Sequence, residues 1–153
     1  MSDIADTANK LRGLSLFHEF SATELEAFAD LVDCACFSDG DVIVKQDEPG
    51  ESMYLIVKGA VKVIHRGETK NVELANLGAG EFFGEIALVD EGPRSADVLA
   101  IGDTQMLAIS QGTIRALAGV YPSASFKLLV AVGRVLVARL RAGNKKYVDS
   151  LLA

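Results

Sequence analysis

The 153-residue sequence predicts an α+β fold, with helices at both ends of a closed antiparallel sheet. Three observations lead there. Helical periodicity runs over residues 9–33 and returns from 110 onward, while 34–109 is a series of short β-rich runs at roughly ten-residue spacing. Half of the residues are hydrophobic, which suits one domain, 1–153, with a proper core. The charge is also segregated. Residues 1–125 carry 9 basic and 20 acidic side chains, whereas 126–153 carry 6 basic and 1 acidic. The C-terminal piece therefore packs on the acidic body or meets something else.

The N-terminal segment, 1–33, opens its pattern with apolar Leu11, Leu14, Phe17 and Phe20. SATELEAFADLV then reads as a capped helix, with Ser21 as N-cap, Glu24 at the capping-box position, and Leu25, Phe28, Ala29 and Val32 on one face. Six runs follow: VIVK (42–45), MYLIVK (53–58), AVKVIH (60–65), NVELA (71–75), ADVLAI (96–101) and QMLAI (105–109). Turn signals such as Asp39-Gly40-Asp41, Lys58-Gly59, Arg66-Gly67 and Gly102-Asp103 separate them. Six to eight short strands spaced in this way predict a roll, jelly roll or barrel rather than a parallel sheet.

From 110, SQGTIRALAGVYP reads as a short helix closed at Tyr121-Pro122, where the proline fits the first turn of the next helix. That helix is expected from 123 to about 147. Phe126, Leu129, Val130, Gly133, Leu136, Val137 and Leu140 line one side, and Leu128, Val132 and Val135 add a second apolar strip. Two strips predict that one packs on the sheet and the other on a partner helix.

Several function classes recede. A net charge of −6 argues against an electrostatic grip on nucleic acid. LLVAVGRVLVA is too short to span a bilayer and is broken by Arg134, and the first twenty residues hold no signal-peptide core, so a soluble cytoplasmic protein without membrane association is expected. Cys34 and Cys36 share a strand face at a spacing that suits neither zinc nor an iron–sulfur cluster, and are expected as buried reduced thiols. His18 and His65 are isolated, and are read as surface and solvated side chains. With no metal cluster and no nucleophile–base pair, neither an enzyme nor a cofactor is expected.

Residues 80–95, GEFFGEIALVDEGPRS, carry the functional signal. Gly84 lets backbone approach a ligand without a Cβ in the way. GEIALV then reads as a short helix whose first free N–H groups, those of Ile86 and Ala87, face an anion. Glu85 is an acceptor suited to sugar hydroxyls, Arg94 a guanidinium suited to two phosphate oxygens, and Ser95 a small hydroxyl beside it. The combination suits a ribose phosphate. The plainer reading is an ion pair between Glu85 and Arg94 across a turn.

FGEIALVDEGPRSA resembles the phosphate-binding cassette of the cyclic nucleotide-binding domains found in kinase regulatory subunits, catabolite activators and cyclic-nucleotide-gated channels. DEPGESMYLIVKGAVKV is similar to that family's hairpin, with Gly50, Tyr54 and Gly59 in place, and LFHEFSATELEAFA and the long last helix are similar to its flanking helices. The resemblance implies an eight-stranded β-roll (a double-stranded jelly roll) over 34–109, with a phosphate-binding helix in the cassette 80–96, N-terminal helices over 1–33 and C-terminal helices over 110–153. It implies that Glu85 binds the ribose 2′-hydroxyl and Arg94 the cyclic phosphate. Ser95 would contact phosphate or base edge, and the Gly84 and Ala87 amides would complete the cradle. Val72 and Leu74 would form the wall beside the base, and a residue of the last helix, Arg139 or Asn144, would close over it. Asp97 departs from the family's uncharged residue; an acid facing inward there would weaken the hold of Arg94 on phosphate.

The expected function is that of a stand-alone cyclic-nucleotide receptor, cAMP preferred over cGMP, which signals by moving its C-terminal helices. A homodimer or a partner protein is expected on the last helix. A transcription regulator or channel sensor requires further chain beyond Ala153 or before Met1, and the start MSDIADTANK favours a complete N-terminus. A degenerate roll serving only as scaffold is the remaining alternative.

Overall fold

Two long strands organise the sheet in the computed structural model, which describes residues 2–90 and 92–152; Glu91, inside the cassette, lies outside the described residues. The strands are β1 (Asp33–Phe37), β2 (Val42–Val44), β3 (Ser52–Arg66), β4 (Asn71–Gly78), β5 (Phe82–Phe83) and β6 (Asp97–Ser110). They pair antiparallel in one sheet, in the order β1-β6-β3-β4, with β2 on β6 and β5 on β3.

Two of the turn signals do not end strands. MYLIVK and AVKVIH are both in β3, and ADVLAI and QMLAI are both in β6, so six continuous strands supply the eight segments of the roll. The chain bends instead. Gly59 and Gly102 sit at φ 93° and 68°, and the β3–β6 register shifts on both sides of Lys58. A Cβ on Gly59 would lie 2.6 Å from the Asp103 carbonyl, and buried Thr104 donates to the Ala60 carbonyl at 3.1 Å across the bend. A glycine read as a turn in one strand is thus a bulge when the neighbouring strand continues past it.

The helices are α1 (Ser2–Arg12), α2 (Ala22–Leu31), α3 (Gln111–Val120) and α4 (Pro122–Leu152). The capping box is present: Ser21 Oγ accepts from the Glu24 amide at 3.2 Å and Glu24 Oε1 accepts from the Ser21 amide at 2.8 Å. Ser110 caps α3 in the same way, with Thr113 in the reciprocal role. One core cluster joins Leu11, Phe17 and Phe28 to Leu55 and Leu107 of the sheet and to Leu117 and Leu128 of the last helices. A second, built on Ile56, Val61, Phe83, Val98 and Met106, fills the roll beside the site.

α4 settles the question of its two strips. Leu128 and Val132 are buried and Val135 is partly so, whereas Phe126 is 70% and Leu140 64% exposed. Leu136, read on the same side as Phe126 and Leu140, packs partly against the core. Three of the six basic side chains of 126–153 pair with acids of the body: Lys127 with Glu24, Arg134 with Glu19 and Arg139 with Glu85. No helix among the described residues is long and apolar enough to cross a membrane. Cys34 and Cys36 are exposed rather than buried, because edge strand β1 turns Ala35 and Phe37 inward instead.

Glu24 does more than cap. Its buried carboxylate also accepts from Lys127 Nζ at 2.7 Å and Ser123 Oγ at 2.8 Å, tying α2 to the first turns of α4. Burial by itself raises its pKa, but Lys127, the Ser21 amide and the Ser123 hydroxyl outweigh that and bring it from 4.5 to about 2. A depressed folded-state pKa stabilises above the unfolded value and is lost as pH falls through the folded one. The stability difference between wild type and Glu24→Gln should therefore be constant above pH 4.5 and close as pH falls toward about 2, measured by urea denaturation in a pH series.

Candidate functional site

A cavity of about 270 Å³ opens at one end of the roll. Val44, Val63, Ala75, Leu77, Phe83 and Val98 line its apolar wall, and Glu85, Arg94, Ser95 and Arg139 bring the polar groups. The sequence separation of these residues is closed by the sheet: β5 pairs with the start of β3, Tyr54 opposite Phe83, and Pro49 bridges Pro93.

Arg94 is clamped through both backbone and side chain. Its amide donates to the Glu48 carbonyl and its carbonyl accepts from the Asp47 amide, both at 2.8 Å. Nη2 donates to the Ser52 carbonyl at 2.8 Å, Nη1 to the Gly84 carbonyl at 3.4 Å, and the guanidinium carbon lies 6.0 Å from the Tyr54 ring centre. The guanidinium lies directly against Gly50, and a Cβ on Gly84 would stand 2.5 Å from Nη1. Two glycines far apart in sequence thus make its slot. Among the described residues no carboxylate lies within 4.0 Å of it. Half-burial lowers its pKa, with the electrostatic influence of Tyr54 and Glu85 pulling the other way. A partly desolvated cation held by neutral acceptors is incomplete without an anion.

Glu85 does not pair with Arg94 across the turn. Its partner is Arg139 of α4, at 3.5 Å, and Arg139 also donates to the Phe82 carbonyl at 3.1 Å with its guanidinium carbon 4.6 Å from the Phe82 ring centre. GEIALV forms a single 3₁₀ turn, Glu85–Leu88, entered through Gly84 at φ 76°. The Ala87 amide, expected to face an anion, donates at 3.1 Å to the Gly84 carbonyl, whereas the first-turn Ile86 amide has no acceptor within the turn.

The structure relocates several other expectations. Val72 and Leu74 are exposed and lie outside the cavity; β4 offers Ala75 and Leu77 instead. Strand alternation is the cause: Ala75 and Leu77 pair with Val63 and Val61 and share their face, while Leu74 falls at a bulge beside them and Val72 lies near the hairpin end of β4. Asn144 is exposed on α4 and is not part of the lining. Asp97 accepts from the Gln46 amide at 2.7 Å and pairs with Arg66 at 2.8 Å. Burial alone would raise its pKa, but the Gln46 amide and Arg66 hold it below the usual carboxylate range, so its charge is balanced away from Arg94. His65, read as solvated, has Nδ1 at 3.1 Å from the Ser95 carbonyl. Only strand pairing, with His65 near the end of β3, discloses that contact.

The chain belongs to the cyclic nucleotide-binding domain family, whose model matches residues 35–121. It is 33% identical over 128 residues to the cyclic AMP receptor protein of Thermus thermophilus, covering 82% of this chain and 59% of that one. It is 33% identical over 114 residues to the cAMP-dependent protein kinase regulatory subunit of Dictyostelium discoideum, covering 71% of this chain and 35% of that one. The crystal structure of the Thermus thermophilus catabolite activator protein superimposes with a TM-score of 0.75 at 30% identity, over 86% of this chain and 61% of that one. The chain thus spans little more than half, or about a third, of the relatives it matches.

The slot around Arg94 makes a testable demand on Gly84. Gly84→Ala should lower stability by about 1–2 kcal/mol through the left-handed backbone, and by more where the new methyl displaces the Arg94 guanidinium. Urea denaturation that superimposes on wild type would show that neither constraint operates.

Proposed function

We propose that the chain is a cyclic-nucleotide receptor domain, with cAMP as preferred ligand, whose occupancy is passed on through α4. The observation that carries this reading is the uncompensated, half-buried guanidinium of Arg94 beside Glu85 in a cavity with an apolar wall. Arg94 and Arg139 bring two positive charges and Glu85 one negative, a local excess of one that matches the single charge of a cyclic phosphate diester. In this reading Arg94 holds the phosphate together with the Gly84 and Ile86 amides. Ala87 joins them if its turn opens, Glu85 accepts from the sugar, and Ser95 faces phosphate or base. Two of the relatives bear cyclic AMP in their names and another cyclic GMP, so both nucleotides are set against each other in the test.

A thermal-shift titration with cAMP, cGMP and AMP tests the reading directly. Ligand at a hundred times its dissociation constant adds roughly 2.7 kcal/mol; no shift with either cyclic nucleotide leaves the scaffold alternative. Losing a charge-assisted pair of about 3 kcal/mol weakens binding by roughly two orders of magnitude. Arg94→Ala should therefore lose binding by calorimetry with the fold intact, and Arg94→Lys should recover only part of it. Arg94→Ala within threefold of wild type would exclude this site.

The open strip of α4 favours a second copy of the chain as partner. Phe126, Val130, Gly133, Val137, Leu140, Asn144, Tyr147 and Leu151 alternate four and three residues apart, the seam of a two-stranded coiled coil. Valines and one asparagine occupy one set of core positions, a combination that selects dimers and sets register. Asn144 then belongs to the seam rather than to the base. Leu140→Asp should convert a dimer to monomer in light scattering, and a wild-type monomer with and without cAMP would reject the dimer.

A further inference from the structure

Where β6 begins, one carboxylate ties together the strands on its two sides. Val44 of β2 and Val63 of β3 both pair with Val98, so β2 and β3 flank β6 there. One residue earlier, Asp97 accepts from the Gln46 amide through Oδ1 at 2.7 Å and from Arg66 Nε through Oδ2 at 2.8 Å. Past the end of β6, Gln46 and Arg66 meet directly. The Arg66 amide donates to Gln46 Oε1 at 2.7 Å, and Gln46 Nε2 donates to the Arg66 carbonyl at 3.0 Å. Arg66 is 42% exposed and Asp97 15%, so the bond to the Gln46 amide is the firmer of the two ties.

That amide is the shoulder of the turn that clamps Arg94. The Glu48 amide donates to the Lys45 carbonyl at 3.2 Å and closes the turn. Within it the Asp47 amide donates to the Arg94 carbonyl, and the Glu48 carbonyl accepts from the Arg94 amide, both at 2.8 Å. Asp47 stands at φ 72°, the one non-glycine residue at positive φ among the described residues. Such a backbone is costly for a residue with a Cβ and persists where its surroundings over-determine it. Here the Arg94 backbone holds it from one side and the Asp97 carboxylate from the other. Gly50, at the end of the same turn, is the bare wall against the Arg94 guanidinium.

We propose that Asp97 is a positioning residue of the anion site. It is not part of the cavity lining. By fixing the Gln46 amide it sets the 46–50 turn, and that turn sets the backbone and the slot of Arg94. The identity of the ligand rests on the cyclic-nucleotide reading; the dependence of the turn on Asp97 does not. Two effects of opposite sign meet here. As a charge, an acid near Arg94 weakens its pull on phosphate, but Arg66 balances that charge at 2.8 Å. As an acceptor, Asp97 satisfies a partly buried amide that loses its partner without it. Positioning outweighs opposition, and the carboxylate supports the grip on phosphate.

The test separates the acceptor from the charge. Calorimetry with cAMP compares wild type, Asp97→Asn and Asp97→Ala, and hydrogen exchange follows 46–50 in the ligand-free proteins. Asparagine keeps an acceptor for the Gln46 amide and drops the charge, whereas alanine drops both. Asp97→Ala should weaken cAMP roughly fivefold to twentyfold and speed exchange along 46–50 more than along α2 and α3. Asp97→Asn should stay within about threefold of wild type. Asp97→Val, a strand former without an acceptor, takes the place of alanine if that variant does not fold. Tighter binding by any of these variants would make Asp97 an opposing charge and overturn the proposal. Equal weakening by asparagine and alanine would overturn it, and so would unchanged exchange along 46–50 in Asp97→Ala. If wild type binds neither cAMP nor cGMP, the receptor reading falls, and the exchange measurement alone decides whether the turn depends on Asp97.

Discussion

The site is organised around the need to keep one guanidinium partly out of water without giving it a carboxylate. Arg94 meets that need with the carbonyls of Ser52 and Gly84, the Tyr54 ring and the bare backbone of Gly50. Three of these partners fall within residues 50–54 and Gly84 lies in the cassette, so the pairing of these two segments in the roll builds the slot. β3 begins where Arg94 needs an acceptor, and the 47–50 loop is tied to the cassette through its backbone. The acidic residue that threatened this balance, Asp97, is drawn off by Arg66 and Gln46. The positive charge is thereby left available to an incoming anion.

The basic last helix and the acidic body are joined by ties of different strength, and burial sets the difference. Lys127 meets Glu24 inside a capping box, with Ser123 completing the carboxylate, where solvent does not compete. Arg134 and Glu19, at 3.8 Å, are both largely in water, and such a pair contributes little. Arg139 and Glu85 lie between these extremes, at the mouth of the cavity. The base of α4 is thus anchored by a buried carboxylate and its middle by a partly exposed pair, and residues 140–152 are exposed.

Much of this was legible in the sequence because it is local. Caps and short apolar periods depend on residues three or four apart, so the Ser21–Glu24 box and the apolar face of α2 could be read directly. The types needed at the site, glycine, glutamate and arginine within eleven residues, were legible for the same reason, and their spacing carried the family resemblance. The misreadings were about pairing. Gly59 and Gly102 carry ordinary turn chemistry, yet each lies opposite a strand that continues, so each bends its strand without ending it. Val72 and Leu74 have suitable side chains for a wall, but Ala75 and Leu77, opposite Val63 and Val61, take that place by strand alternation. Cys34 and Cys36 have the composition of a core strand but face out from an edge.

By itself the sequence determined which residue types the site contains, where the helices begin, and that a basic helix would meet an acidic body, since propensity, capping and net charge act over a few residues or need no geometry. Tertiary structure alone decided who touches whom. That Glu85 turns to Arg139 and not Arg94, that Gly50 makes room for Arg94, and that His65 finds the carbonyl of Ser95 all depend on strand register and helix placement. Register is set by the sum of many weak side-chain contacts across the sheet, and no short window of sequence contains that sum.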